Sequence, residues 1–274
     1  MGCDIIPFPA SNFWVIRPSE TCLFDIGGYN TAMVKFFFLS ILLLVILLFD
    51  RDVKSPNAEE RTPFIPQQVV REYVLEEQTT NYQYLLSEFG NNKELPVGYE
   101  LQALLALSHY PELRDIKIKF VVDDVDIPLS SRPYWASMFR SAKNRTYLVI
   151  IDNQREGPRD ALLLKRQPFN AQTGIIGHEL AHTVYYLDRS LIGILADAAC
   201  QLNNCRIKFE QDTDKRLVEY GLGWQRYDHS VFIRRSRGIS IESAGNSNSA
   251  YLSPIELLRL MESHPAYQRT LAQQ

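Results

Sequence analysis

The segment GIIGHELAHTVYYL, residues 174–187, carries the pattern His-Glu-x-x-His at residues 178–182 and is otherwise almost entirely apolar. The segment predicts a helix, on which residues four positions apart share a face, so the imidazoles of His178 and His182 can reach one metal ion. Glu179 follows the first histidine directly, where its carboxylate can hold a metal-activated water rather than the metal. Two imidazole ligands beside one base suit metal-assisted hydrolysis. The alternative is a helix with two unrelated histidines.

A second helix, predicted at residues 206–220, places two acids one turn apart. Glu210 could supply a third metal ligand, and Asp214 could accept the remaining N–H of a ligand histidine and so orient its ring. The alternative is that both acids are solvated and paired with the basic residues Lys208, Lys215 or Arg216. The competing candidates for the third ligand are Glu219, Asp197 and His229.

The pattern His178-Glu-x-x-His182 followed by Glu210-x-x-x-Asp214 resembles the gluzincin branch of zinc metallopeptidases, which includes thermolysin-like and membrane-associated enzymes. The matched part covers roughly residues 147–220, and the metzincin continuation is absent because residues 182–188 read HTVYYLD. The resemblance implies one Zn²⁺ per chain held by His178, His182 and Glu210. It also implies that Glu179 is the general base, that Asp214 is the orienting carboxylate and that the substrate is a protein or peptide.

The resemblance implies an α+β fold of zincin type, in which a small twisted sheet packs on the active-site helix beside a second zinc-ligand helix, and the order of predicted elements suits it. A helix is expected over residues 95–109, and strands are expected over residues 116–122 and 147–152. In zincins the edge strand of the sheet lies above the metal cleft and binds an extended peptide. Residues 147–152 are the candidate for that edge, and an ordinary internal strand is the equal alternative.

The loop over residues 153–170 could cover the cleft or simply be solvated. Asn170 is the candidate N-cap of the active-site helix. Near the end of the chain, Ser253 and Pro254 predict a capped helix start.

Amide hydrolysis passes through a tetrahedral oxyanion that needs a hydrogen-bond donor. The downstream segment offers four donors, which the sequence does not rank: Tyr220, Tyr227, His229 and Arg226. Cys200 and Cys205 flank a predicted turn between the two metal helices, where they form either a small disulfide or two free thiols.

The whole chain has 274 residues, 46% of them hydrophobic, and a formal net charge of −3. This composition suits one sizeable core and is not basic enough to indicate a nucleic-acid partner. Residues 36–49 carry no charge and, with residues 33–35, predict a retained signal anchor or transmembrane segment. Residues 1–32 are then a doubtful extension, 50–70 a linker and 71–274 the metallopeptidase domain, on the periplasmic or extracellular side. The segment 61–90 is either a covering propeptide or part of the core.

The combined expectation is a membrane-anchored zinc metallopeptidase. One alternative is a zinc-stabilised envelope assembly or binding protein that uses the zincin fold without hydrolysis. Glu179 argues against it, because a structural zinc site needs no base and usually closes its fourth position. The other alternative is an anchored interaction domain that binds no metal, which metal analysis would separate from the first two.

Overall fold

A computed structural model describes residues 69–123, 125, 127–152, 160–201, 205–243, 245 and 249–272. The predicted anchor at residues 33–49, the extension 1–32 and nearly all of the linker 50–70 lie outside these residues. In the described part of the chain, no helix is both long enough and apolar enough to cross a bilayer. The described residues form an α+β arrangement of one small mixed sheet and several helices.

The first elements are short: α1 (Leu75–Thr80), α2 (Tyr82–Phe89), β1 (Lys93–Glu94) and α3 (Glu100–Leu107). The helix predicted over residues 95–109 is confirmed only in its central part. Gly98 has a φ of +83°, and the N–H of Tyr99 donates to the carbonyl of Pro96 in a turn, so the helix begins after both. Residues 103–107 are all buried, which accounts for the apolar sequence of α3.

Within the segment 61–90, several described residues contact the rest of the domain, although α1 buries none of its side chains. The guanidinium of Arg71 donates to Asp228 at 3.0 Å, and the hydroxyl of Tyr73 lies 2.6 Å from Nε2 of His109. Leu85 in α2 is also buried. Residues 69–90 are therefore held by long-range contacts with the rest of the domain.

The sheet contains β1 and three further strands, β2 (Lys117–Asp123), β3 (Leu129–Pro133) and β4 (Thr146–Asp152), in the order β1-β2-β4-β3. β2 is parallel to both β1 and β4, whereas β3 is antiparallel to β4, with Leu129 opposite Ile151. The two strands predicted at 116–122 and 147–152 are thus confirmed. The assignment of 147–152 as the edge strand is wrong, because β4 lies between β2 and β3.

All seven residues of β4 are buried, as expected for a strand that is covered on both faces. The edge beside β4 is instead formed by β3, whose sequence LSSRP has too few apolar residues to predict a strand. The position of β3 depends on its antiparallel pairing with β4 rather than on its own side-chain pattern.

The long helix α4 (Phe169–Leu187) carries the His-Glu-x-x-His pattern and is buried on almost every side. It packs on α3 and β3, and most extensively on α7 (Gly223–Ser236). A Cβ atom at Gly174 would lie 2.1 Å from the carbonyl oxygen of Gln225 in α7. Only glycine therefore permits this close approach of the two helices.

The prediction that Asn170 caps α4 is wrong, because the helix begins at Phe169 and Pro168 occupies the N-cap position. The Asn170 side chain instead accepts the N–H of Tyr73 at 3.0 Å and donates to Asp228. It joins the N-terminal segment to α7.

Three further helices follow α4 in addition to α7: α5 (Leu191–Gln201), α6 (Arg206–Glu219) and α8 (Pro254–Glu262), before a final turn, α9 (Gln268–Leu271). The helix predicted at 206–220 is confirmed, but α5 separates it from α4, so the two metal helices are not joined by a single turn. Cys200 and Cys205 are joined as a disulfide across the α5–α6 connection, with their Cα atoms 5.3 Å apart. The capped start of α8 is confirmed by a reciprocal pair of bonds between Ser253 and Glu256.

Candidate metal centre

Three side chains from α4 and α6 converge in the interior. The ligand atoms of His178, His182 and Glu210 all lie within 4.8 Å of one another. Nε2 of His178 is 3.1 Å from Oε2 of Glu210, and Nε2 of His182 is 3.2 Å from the same oxygen. All three residues are buried. The helical spacing brings the two histidines together, and the packing of α6 against α4 adds the carboxylate.

The tautomers of both histidines follow from their other contacts. Nδ1 of His178 lies 2.8 Å from a carboxylate oxygen of Asp214 and must carry the proton. The hydroxyl of Thr213 donates its only hydrogen to the carbonyl of Phe209, so at 3.1 Å it accepts from Nδ1 of His182. In its neutral form each imidazole would therefore present the lone pair of Nε2 on the side of Glu210, which is the arrangement a metal ligand requires.

Asp214 is the carboxylate that orients His178. It is fully buried and also accepts from Nε of Arg226 at 2.6 Å and from the backbone N–H of Leu252 at 2.9 Å. Arg226 itself is only 2% exposed. The three donors fix the carboxylate, so the ring of His178 has little freedom to turn.

The electrostatics of the cluster favour an added positive charge. Burial and the charge of Arg226 lower the pKa of His178, but Asp214 and Glu210 outweigh them and raise it to about 9. Burial acts to raise the pKa of Glu210, yet the two histidines bring it far below the ordinary value. When both imidazoles are neutral, as metal ligands must be, the carboxylates of Glu179, Glu210 and Asp214 and the guanidinium of Arg226 leave a formal charge of −2. A divalent cation would balance this charge.

Glu179 is placed differently from the other two acids. It is 5% exposed, and among the described residues its carboxylate makes no hydrogen bond or ion pair. Its negative charge contributes to raising the pKa values of Tyr186 and Tyr251, so it lies near both rings. A buried carboxylate next to a ligand histidine, paired with none of the described residues, has the position expected of a base.

Tyr251 borders the centre and was not among the residues predicted from sequence. Its ring meets that of His178 edge-on with centroids 5.6 Å apart, and the Arg226 guanidinium lies 5.1 Å from the ring centre. The residue as a whole is 39% exposed, but burial around the hydroxyl, followed by the charges of Glu210 and Glu179, raises its pKa, so it remains a protonated donor. No local pattern identifies it; it is held there by the bond from the N–H of Leu252 to Asp214.

The donors proposed from sequence are placed less favourably. Nδ1 of His229 donates to Oε1 of Gln167 at 2.7 Å, and the amide of Gln167 is oriented by its own donation to the carbonyl of Leu162. Burial, and then the charges of Arg226 and His178, hold the pKa of His229 well below its usual range. A neutral ring with its proton on Nδ1 accepts rather than donates through Nε2.

The two other tyrosines belong to the core. The hydroxyl of Tyr220 donates to Glu112, and its ring packs on Tyr110 with centroids 4.9 Å apart. Tyr227 contacts the ring of Trp224 edge-on at 5.9 Å. Neither contact directs a hydroxyl at the histidines.

The other candidates for the third metal ligand are either hydrogen-bonded to other residues or exposed to solvent. Asp197 accepts from Arg189 and from the hydroxyl of Tyr185, whereas Glu219 is exposed. The alternative that Glu210 and Asp214 are solvated and paired with neighbouring lysines is wrong, since both are buried and Lys208 and Lys215 pair with Asp212.

No family model, curated protein sequence or solved structure matches this chain. What the chain can do is therefore inferred from its own side chains. A divalent metal ion fits this site, which offers two imidazoles with hydrogen-bonded Nδ1 atoms, one carboxylate and a net negative charge. Among the described residues, three side chains form this group of possible ligands. A zinc ion held by three protein ligands keeps a fourth position for water or substrate.

Proposed function

We propose that the protein is a membrane-anchored zinc metallopeptidase of zincin type, resembling the gluzincins. The observation that supports this proposal is the convergence of Nε2 of His178, Nε2 of His182 and the Glu210 carboxylate next to Glu179, a buried acid that pairs with none of the described residues.

His178, His182 and Glu210 would hold the metal. Two imidazoles and one carboxylate are a common ligand set for catalytic zinc. When bound, zinc supplies Lewis acidity, which lowers the pKa of a coordinated water and polarises a carbonyl group. Asp214 and Thr213 support this role because they keep the Nδ1 protons of the two histidines in place.

Glu179 would act as the general base. It would accept a proton from the attacking water and return that proton to the leaving amine, as base and then acid. Tyr251, whose ring meets that of His178 edge-on, would donate a hydrogen bond to the oxyanion that develops on the carbonyl. The peptide would add to the outer edge of β3, which among the described residues pairs only with β4.

The membrane component of the proposal rests on the sequence of residues 33–49. A retained apolar segment with the domain following it would place that domain on the non-cytosolic side. The Cys200–Cys205 disulfide is consistent with an oxidising compartment.

Zinc content and peptide cleavage of the purified full chain test the proposal together. Wild type and Glu179→Gln should each retain about one zinc per chain, whereas Glu210→Gln should lose it. Glu219→Gln is the matched control, because it removes an exposed acid from the same helix. Glu179→Gln should lower the rate of peptide cleavage at least about 10²-fold.

The other outcomes are also informative. Undiminished cleavage by Glu179→Gln would refute the mechanism. Zinc retention without cleavage of any peptide in a diverse library would favour the zinc-stabilised assembly or binding protein. A folded wild-type chain that retains no zinc, purified without chelators, would favour an interaction domain.

A further inference from the structure

Two segments beside the C-terminal end of α4 expose apolar side chains. The segment 134–145, YWASMFRSAKNR, joins β3 to β4, and in it Phe139 is 89% exposed. In α5, Ile192 is 53% exposed and Leu195 is 47% exposed. We call these exposed residues, with their neighbours, the Phe139 surface: Tyr134, Trp135, Phe139, Arg140, Lys143, Ile192 and Leu195.

A single buried guanidinium ties the two segments together. Arg145 is 4% exposed and donates through Nε to the carbonyl of Arg140 at 3.0 Å. Its NH1 group donates to the carbonyl of Arg189 at 2.7 Å, one turn before the exposed positions of α5. The segment around Phe139 and the start of α5 are therefore neighbours.

Phe139 is exposed although the residues before it are fixed. Ser137 and Met138 are buried, and the hydroxyl of Ser137 accepts the N–H of Thr146 at 3.0 Å. The backbone is thus anchored to β4 while the phenyl ring points away from the core. One exposed ring needs no explanation, but several exposed apolar side chains on two neighbouring segments indicate an interaction site.

The charges of the segment indicate what kind of partner this is. Residues 134–145 contain three basic residues and no acidic residue. Arg140 and Lys143 are exposed, as are the aromatic residues Tyr134 and Trp135 of the same segment. Exposed aromatic and aliphatic side chains interspersed with Lys and Arg are typical of surfaces that rest in the headgroup region of a bilayer.

We propose that the Phe139 surface lies on a bilayer that contains anionic lipid, with Phe139 inserted and with Arg140 and Lys143 beside the lipid phosphates. This inference rests on the membrane anchoring within the proposed function. The chain between the apolar run 36–49 and the first described residue is residues 50–68, which spans at most about 65 Å when extended. Such a tether keeps the domain near the bilayer, so a weak surface contact is sufficient.

The contact would also restrict the substrate. His182 lies five positions before Leu187, the last residue of α4, which corresponds to about 7.5 Å along the helix. The metal centre would then lie close to the bilayer. Peptide segments next to a membrane would be favoured over those of freely diffusing proteins.

Fluorescence quenching in the full chain tests this contact. The chain is placed in nanodiscs of phosphatidylcholine and phosphatidylglycerol, with or without brominated acyl chains. The reporter is Phe139→Trp, and the matched control is Val97→Trp, a site between β1 and α3 that is 88% exposed. After subtraction of the wild-type signal, quenching at position 139 should exceed that at position 97 about threefold.

Charge reversal gives a second reading. Lys143→Glu should lower the ratio of quenched to unquenched Phe139→Trp reporter by roughly fivefold. Lys117→Glu, an exposed lysine at the start of β2, is the control and should leave that ratio unchanged. Both effects should weaken when phosphatidylglycerol is omitted.

Vesicle flotation separates failure of this inference from failure of the anchor. Equal quenching at positions 139 and 97 in a chain that floats with vesicles would overturn the Phe139 surface and leave the anchor intact. A chain that does not float would overturn both. Shielding of position 139 that appears without lipid, together with dimers in sedimentation, would assign the surface to a second copy and overturn the lipid contact.

Discussion

Replacing Arg226 by methionine tests how the carboxylate behind His178 is held. Arg226 is 2% exposed and Asp214 is fully buried, with Nε and Oδ1 only 2.6 Å apart. Removing one partner of a buried ion pair costs about 3–5 kcal/mol, because the other charge stays buried. Asp214 would keep the donors of His178 and Leu252, so we expect a loss of about 3 kcal/mol in the free energy of unfolding.

Urea unfolding followed by circular dichroism measures this loss, with the full chain kept free of metal. A domain of this kind is typically stable by roughly 5–15 kcal/mol, so the variant should still fold. Arg189→Met is the matched control. Its guanidinium forms two bonds with Asp197, at 2.9 and 2.7 Å, but the side chain is 38% exposed. The control should lose no more than about 1 kcal/mol.

Adding Asp214→Asn to Arg226→Met isolates the charge effect. Since the asparagine is neutral, the double variant should be more stable than Arg226→Met alone. Arg226→Met should also bind zinc at least about tenfold more weakly than wild type. A loss in Arg226→Met no greater than in Arg189→Met would refute the reasoning that the buried charge dominates.

Three further predictions concern packing, chemistry and pH. Gly174→Ala should cost about 3 kcal/mol in the urea assay, because its Cβ would meet backbone atoms of α7, whereas Gly193→Ala should change stability by less than about 1 kcal/mol. Tyr251→Phe should retain zinc but lower kcat for peptide cleavage about 10²-fold, and an unchanged kcat would exclude the hydroxyl from the reaction. Burial lowers the pKa of His109 from 6.5 to about 4. As the pH falls, the unfolded chain therefore binds a proton on His109 before the folded chain does. The contribution of His109 to the free energy of unfolding is complete above pH 6.5. It is lost between pH 6.5 and 4, by at most about 3 kcal/mol. Urea midpoints of His109→Gln should accordingly fall less over this window than those of wild type.

The sequence by itself determined the features that depend on neighbours along the chain. The spacing of His178 and His182 on a helix, and the one-turn spacing of Glu210 and Asp214 on another, follow from helical periodicity. The capped start at Ser253 follows from bonds between residues three positions apart. The strands at 116–122 and 147–152 followed from runs of β-branched and apolar residues, but their order in the sheet did not.

Only the tertiary structure decided which of these segments meet. Strand order depends on pairing between distant residues, so the chain pattern left open whether residues 147–152 were an edge or an internal strand. Tyr251 lies beside the metal centre because the backbone N–H of the next residue, Leu252, donates to the carboxylate of Asp214. No local sequence pattern predicts this contact. Arg226 is a buried partner of Asp214 because α7 approaches α4 closely at Gly174. Local periodicity places ligands on a helix face, whereas packing between distant segments builds the charge and hydrogen bonding around them.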